Sequence, residues 1–272
     1  MKKTLLTLLA AATLWGYGDG VIYWAPHGCD DGKKTASKHG GHGKGESAMF
    51  ALMNLEGNTS AHLILPDLTK QPLTFKLNTV MLPKPKMGGY YAMVAEGNNT
   101  DGVYSAIRYL SLQGRPSKIS PAELTSLPKG ALEIIPTPLH REHDRYTASK
   151  SYTFILSYMN KPLNNTIVTL ETHNTSAQSY TTNDKGIFSV TLPDDFKNVQ
   201  VGRSENKPSE FLLTAQHRDG ATLFKSTLSM PYSLNPNDYW QSQIYGAGAI
   251  FIGFAVGLFF YRRHKKQGVS RG

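Results

Sequence analysis

The chain has 272 residues, of which 40% are hydrophobic and 18% charged, so it holds enough apolar material for more than one packed core. Most of its formal net charge of +9 comes from residues near the two ends, namely Lys2, Lys3, Arg262, Arg263, Lys265, Lys266 and Arg271. Because the rest of the chain is nearly neutral, this charge indicates targeting and membrane anchoring, and it argues against a nucleic-acid-binding surface.

Residues 1–20 have the pattern of a secretory signal peptide. Lys2 and Lys3 precede an apolar run from Leu5 to Trp15. The single cysteine, Cys29, excludes an intramolecular disulfide, which is more typical of a bacterial periplasmic domain than of an animal extracellular one. We therefore expect the domains that follow to lie in the bacterial periplasm.

Residues 21–47 are expected to form a flexible segment rich in His, Gly and Lys. Six of the twenty residues from 27 to 46 are glycine and none is large and apolar, so burial cannot offset the backbone entropy. Imidazole and thiolate groups in such a segment suit a transition metal ion, namely Ni, Co, Cu or Zn. The candidate ligands are His27, Cys29, His39 and His42. The alternative is a solvated linker, because no fixed ligand spacing such as Cys-x₂-Cys occurs.

Residues 48–111 are predicted to form a small antiparallel β domain. Strand-like apolar runs, several of which alternate as at 74–79, and intervening turn signals predict strands at 48–55, 61–65, 73–80, 90–96 and 103–110. Residues 112–130 form a linker with one helical turn. In it, Ser120-Pro121-Ala122-Glu123 places Ser at the N-cap, Pro at N1 and Glu at N3.

Residues 131–234 are predicted to form a second β domain, an immunoglobulin-like sandwich. Seven short strands are expected, at 132–135, 152–159, 167–172, 178–182, 186–192, 210–216 and 221–228. Strands of this length and spacing are typical of that fold. The predicted class is therefore all-β, with two small antiparallel β-sandwich domains and one C-terminal transmembrane helix.

Three patterns in the second domain resemble a known family. They are Leu132-Glu133-Ile134 with Pro136, then Lys161-Pro162-Leu163, then Thr182-Asn183-Asp184-Lys185-Gly186. Over roughly residues 130–230 they are similar to a periplasmic domain family of unknown function, formerly labelled as a nickel-transport subunit. Its members often accompany nickel or cobalt uptake systems, and the Asp-x-Gly turn is shared with transthyretin-like modules. The resemblance implies a sandwich fold and an accessory role beside a metal-transport permease.

A second group of possible metal ligands lies in the connections of this domain. His140 and His143 follow its first strand and His173 follows its third. Because strands of an antiparallel sandwich alternate in direction, these connections share one end, whereas His217 should lie at the other. A three-histidine site is possible there. The alternative is a charged surface loop, since parity predicts the end of the sandwich and no distance.

The C-terminal part predicts a membrane anchor. Residues 240–262 contain eighteen residues without a charge, from Ile244 to Tyr261, followed by a basic tail at 263–272. The basic cluster predicts a cytoplasmic C-terminus and a single-pass protein of the bacterial inner membrane. Small residues recur on one helix face, at Ala249, Gly253 and Gly257. They either let a second helix approach or reflect the ordinary frequency of glycine in membrane helices.

Two functions follow from these features. The first is a membrane-anchored periplasmic accessory that binds a transition metal, nickel or cobalt in the first place, or delivers it to permease subunits of an uptake complex. The second is a structural or protein-interaction module of the cell envelope, with partners or a homodimer held through the helix. Neither is an enzyme, because the chain lacks a nucleophile elbow, a metalloprotease helix motif, a phosphate-binding loop and a dinucleotide fingerprint.

Overall fold

We describe the protein from a computed structural model, which defines residues 17–18, 20–27, 48–55, 57–100, 102–140, 145–239 and 243–268. The chain divides into two compact units. The first comprises residues 1–195 and 208–233, and the second comprises residues 196–207 and 234–272. All the strands described below belong to the first unit.

The first unit begins with eight strands and a short helix. The strands are β1 (Tyr23–Pro26), β2 (Met49–Met53), β3 (Asn58–Ile64), β4 (Lys70–Leu73), β5 (Thr79–Met81), β6 (Met87–Asn99), β7 (Gly102–Leu112) and β8 (Arg115–Pro116). Helix α1 (Pro121–Ser126) follows. Its Ser120 hydroxyl accepts the Glu123 N–H, and the Glu123 carboxylate accepts the Ser120 N–H. This reciprocal capping confirms the predicted helical turn.

Eight more strands complete the first unit. They are β9 (Leu132–Pro136), β10 (Ser151–Tyr158), β11 (Lys161–Pro162), β12 (Ile167–Thr172), β13 (Ala177–Thr181), β14 (Ile187–Thr191), β15 (Ser209–Asp219) and β16 (Thr222–Tyr232). The second unit contains a 3₁₀ turn (Arg203–Glu205), α2 (Pro236–Tyr239) and α3 (Gln243–Gly268). The class is therefore all-β with one long C-terminal helix, as predicted.

The strands form one large sheet and two small ones. The large sheet has nine strands in the order β13-β12-β15-β16-β7-β6-β3-β4, with β8 beside β6. The small N-terminal sheet has the order β1-β2-β5. The small C-terminal sheet has the order β11-β10-β14, with β9 also paired to β10.

The two small sheets cover opposite faces of the large sheet. On β7, Ala106 belongs to the core beneath the small N-terminal sheet, where its carbonyl accepts the Trp24 indole N–H at 3.1 Å. The preceding residue, Ser105, donates its hydroxyl to the Leu132 carbonyl in the small C-terminal sheet at 2.7 Å. Because successive residues of a strand point to opposite faces, each small sheet packs on its own face. The result is two sandwiches that share one sheet.

The shared sheet differs from the two separate domains, 48–111 and 131–234, that the sequence predicts. Strands β7 and β16 pair in parallel, from Val103 opposite Phe224 to Ile107 opposite Leu228. Both strands are buried on both faces along most of this pairing. A strand that is buried on both faces carries apolar or small residues at nearly every position, so its sequence shows no alternation of apolar and polar residues. Such a sequence does not reveal which two strands pair with it.

The predicted strand at 73–80 is two strands in the structure. Leu73 ends β4 in the large sheet, whereas Thr79 begins β5 in the small N-terminal sheet. Between them Leu77 has φ +60° and is 91% exposed, while Phe75 stacks on Trp24 with ring centroids 6.1 Å apart. The alternation of apolar residues therefore marks a turn that connects two sheets, and the prediction of one continuous strand was wrong.

Candidate functional site

The histidine-containing tract lies between two paired strands. The sequence predicts a flexible segment over residues 21–47, but residues 23–26 form β1, which pairs antiparallel with β2. The His27 N–H donates to the Met49 carbonyl at 3.0 Å and extends this pairing by one residue. Residues 28–47 therefore connect two neighbouring strands of one sheet. Cys29, His39 and His42 lie in this connection, outside the described residues.

Strand β1 is held in place by a fully buried tryptophan. The Trp24 indole N–H donates to the Ala106 carbonyl, and the Trp24 carbonyl accepts the Ser229 hydroxyl at 2.7 Å. The Ile22 carbonyl similarly accepts the Thr227 hydroxyl at 2.7 Å. The run Ile22-Tyr23-Trp24 has high β propensity, and this was the signal in the sequence for a strand here.

The segment before β1 is also packed, inside the range predicted to be a signal peptide. The Tyr17 ring lies 5.3 Å from Tyr23 and 5.5 Å from His173, measured between centroids. The Gly18 N–H donates to the Glu171 carboxylate at 2.7 Å. The packed part of the chain therefore includes Tyr17, which lies three residues before the predicted end of the signal peptide at residue 20.

His140 and His173 lie toward the same end of the C-terminal sandwich, as strand parity predicts. His140 lies against two tyrosines, with centroid distances of 5.1 Å to Tyr146 and 4.6 Å to Tyr152 at the start of β10. The His173 N–H donates to the Glu210 carbonyl at the start of β15, at 2.9 Å. The two rings thus have different aromatic neighbours, since His173 faces Tyr17.

The three-histidine hypothesis at this end stays a prediction. His143 lies outside the described residues. Within the described part of the chain, no three His, Cys, Asp or Glu side chains lie close enough to hold a metal ion together. His217 packs against Tyr158, at the other end of β10, with centroids 4.5 Å apart.

A polar network also lies at the end that carries His173. Asp195, which follows the last strand of the small C-terminal sheet, accepts the Thr172 hydroxyl at 2.5 Å, the Asn174 amide at 3.1 Å and the Tyr232 hydroxyl. Burial alone would raise the pKa of the Asp195 carboxyl, but the hydrogen bonds, including one from Ser176, outweigh burial and lower that pKa.

The C-terminal helix is the one helix, among the described residues, long and apolar enough to cross a membrane. The window Gly246–Arg263 has a mean hydropathy of 1.2, and none of it is buried within the protein. Its small residues Ala249, Gly253 and Gly257 are all exposed. A Cβ placed on Gly253 or Gly257 would meet no atom within 4 Å. This face is therefore open to another helix.

No protein-family model matches the chain, and no curated protein matches it. Among solved structures, it is similar to a two-domain fibronectin type-III segment of chicken tenascin. The identity is 10%, the TM-score is 0.22, and the match covers 68% of this chain and 91% of the tenascin segment. A likeness at this TM-score carries no argument about function.

Proposed function

We propose that this protein is a membrane-anchored accessory that captures a transition metal ion outside the cytoplasm and passes it to a membrane uptake complex. The observation that supports this most directly is the pairing of β1 with β2. It makes the tract with Cys29, His39 and His42 a connection that is attached to the folded unit at both ends.

Attachment at both ends matters for the energetics of metal binding. A ligand set on a free tail must give up the chain entropy of closing a loop around the ion. Here the β1–β2 pairing already brings residues 27 and 48 to neighbouring strands, so part of this entropy is lost on folding. The six glycines between 27 and 46 allow the backbone to follow the coordination geometry of the ion.

The C-terminal helix supplies the membrane location in this proposal. Helix α3 has 26 residues, which at ~1.5 Å per residue are sufficient for a bilayer core of ~30 Å. The basic cluster that begins at Arg262 supports a cytoplasmic C-terminus, with the sheet unit in the periplasm of a bacterium. A reporter that is active only in the cytosol, fused after Gly272, is expected to be active.

Equilibrium dialysis of the full-length protein in detergent tests the metal-binding role. We expect Ni²⁺, Co²⁺, Cu²⁺ or Zn²⁺ to bind with a Kd below about 100 µM, because weaker capture cannot compete for a scarce ion. Replacing Cys29, His39 and His42 together by Ser should abolish this binding. The matched control is His217→Ser. His217 lies against Tyr158 at the far end of β10, so this variant should bind the ions as tightly as the unchanged protein does. Absence of binding for all four ions would contradict the proposal.

A second candidate function is favoured by the open small-residue face of α3. In that case the protein is an interaction module of the cell envelope, and the helix contacts a partner helix or a second copy. Gly253→Leu and Gly257→Leu would then disrupt the assembly in detergent, whereas substitution of the connection ligands would have no effect.

A further inference from the structure

One row of side chains runs across the small N-terminal sheet at the base of the tract. Met49 on β2 is the register partner of Met81 on β5. On its other side, Met49 accepts the His27 N–H at 3.0 Å, which places His27 opposite it at the end of β1. The three residues therefore occupy one line across three neighbouring strands.

All three side chains belong to the outer face of this sheet. Phe50 and Val80, the next residues along β2 and β5, are buried in the core beneath it. Because consecutive strand residues alternate between faces, Met49 and Met81 point away from that core. Met49 is 36% exposed and Met81 is 63% exposed, and His27 is exposed as well.

The register sets the distances between these side chains. The Met49 carbonyl accepts the N–H of His27, which directly follows β1. The neighbouring Ala48 carbonyl accepts the N–H of Leu82, which directly follows β5, at 2.9 Å. The Met49–Met81 pair is therefore of the non-hydrogen-bonded type, in which side chains approach most closely, with Cβ atoms about 5 Å apart. His27 lies one strand spacing away on the other side, also about 5 Å. The Met49 thioether can thus bind an ion together with the His27 imidazole or the Met81 thioether.

The chemistry of the row selects a particular class of ion. Thioethers are neutral and soft, so they favour a monovalent soft cation such as Cu(I) over Ni²⁺, Co²⁺ or Zn²⁺. An imidazole beside them is a ligand that copper also accepts. We propose that His27, Met49 and Met81 form a binding site for Cu(I), or its analogue Ag(I), on the outer face of the small N-terminal sheet. This site goes beyond the proposed function, because two of its three ligands lie outside the tract.

The site is tested with Ag⁺, which binds like Cu(I) and needs no reductant. The full-length protein is labelled at its methionine methyl groups and carries Cys29→Ser, so that the thiol does not compete for the ion. One equivalent of Ag⁺ should shift the methyl signals of Met49 and Met81 and leave the buried Met93 and Met230 unchanged. Unmoved Met49 and Met81 signals would overturn the proposal.

Substitutions give the second measurement. In the same Cys29→Ser protein, Met49→Ile with Met81→Ile should weaken Ag⁺ binding about 100-fold, since even residues that only orient ligands change metal affinity 10–100-fold. Met159→Ile is the control, because Met159 is 53% exposed and lies outside this sheet. Equal Ag⁺ affinity in the double variant and the control would overturn the proposal.

The two proposals can fail separately. Binding of Ni²⁺ or Co²⁺ that depends on His39 and His42, without the Ag⁺ response of Met49 and Met81, would reject the Cu(I) site and leave the proposed function standing. If Ag⁺ shifts the Met49 and Met81 signals but substitution of the tract ligands leaves the binding of divalent ions unchanged, the Cu(I) site stands and the proposed function is rejected.

Discussion

Arg108 on β7 and Glu210 on β15 form a two-point ion pair across the intervening strand β16. Nη1 of Arg108 lies 2.6 Å from one carboxylate oxygen of Glu210, and Nη2 lies 3.0 Å from the other. The Arg108 side chain is 4% exposed and that of Glu210 is 20% exposed. The pair thus joins a strand of the first predicted domain to a strand of the second.

Removing one partner of this pair should be costly. Glu210→Ala leaves the buried guanidinium of Arg108 without its counter-charge, which typically destabilises a fold by about 3–5 kcal/mol. Urea unfolding of the full-length protein in detergent measures this loss. The double variant Arg108→Met with Glu210→Leu should recover most of the stability, because both charges are then absent. If Glu210→Ala lowers the free energy of unfolding by less than about 1 kcal/mol, the ion pair is effectively solvated.

Truncation of Trp24 should destabilise the fold and detach β1. The side chain is fully buried, so Trp24→Ala creates a cavity, at a typical cost of about 3–5 kcal/mol, and removes the indole hydrogen bond to the Ala106 carbonyl. We expect faster amide hydrogen exchange in residues 22–25 at the same time. Leu77→Ala is the control: Leu77 is 91% exposed, and the change should stay within about 0.5 kcal/mol. Unchanged exchange in β1 would mean that other contacts hold the strand.

Gly102 should be intolerant of any side chain. It has φ +145°, and a Cβ there would overlap the carbonyl oxygen of Leu223 on the parallel neighbour β16. Gly102→Ala is therefore expected to cost more than about 2 kcal/mol, from both backbone strain and the clash. Gly220→Ala separates the two causes. Gly220 has φ +57° with nothing within 4 Å of a Cβ, so only the strain of about 1 kcal/mol applies. Equal melting temperatures of the two variants would contradict the close approach of the strands.

The Asp195 network predicts part of the acid sensitivity. The pKa of the folded-state carboxyl lies below its ordinary value of 3.8, so the network stabilises the fold fully above that pH. This contribution is lost as the pH falls from 3.8 through the folded-state pKa. Asp195→Asn should cost about 2 kcal/mol at pH 7 and should lose stability less steeply below pH 4, measured by urea unfolding at each pH.

A matched change at an exposed turn controls for the loss of one negative charge. Asp184→Asn removes a carboxylate from the turn before β14, and the side chain there is exposed. Its unfolding should keep the acid dependence of the unchanged protein. If Asp195→Asn shows that same dependence too, the network does not hold the carboxylate in its charged form.

Short-range features were predictable from the sequence because neighbouring residues cause them. The capping residues Ser120 and Glu123 lie three positions apart, and a helix start needs nothing else. The uncharged run that ends at Tyr261 likewise predicts a helix of membrane-spanning length by itself. The apolar runs at 90–96 and 103–110, each bounded by turn signals, located the centres of β6 and β7.

Burial and partner choice were not predictable in the same way. Lys129 lies in a segment with the Pro and Gly residues of a linker, yet it is 1% exposed and its ammonium pairs with Glu133 at 3.0 Å. Desolvation by burial lowers the pKa of Lys129. Its hydrogen-bond partners, the Thr125 and Leu127 carbonyls and the Glu133 carboxylate, are close in the sequence. The Tyr109 ring beneath its ammonium, in contrast, belongs to the distant strand β7, which the residues around Lys129 do not reveal.

The candidate sites show the same division. The sequence by itself determined the all-β class, the apolar C-terminal helix and the presence of possible metal ligands at His27 and Cys29. Only the tertiary structure decided that β1 pairs with β2, that Met49 stands between His27 and Met81, and that β7 and β16 join two sandwiches into one sheet. The physical reason is that residue identity carries propensity and ligand chemistry locally. The pairing of strands depends on which distant surfaces bury each other best, and that is a property of the whole chain.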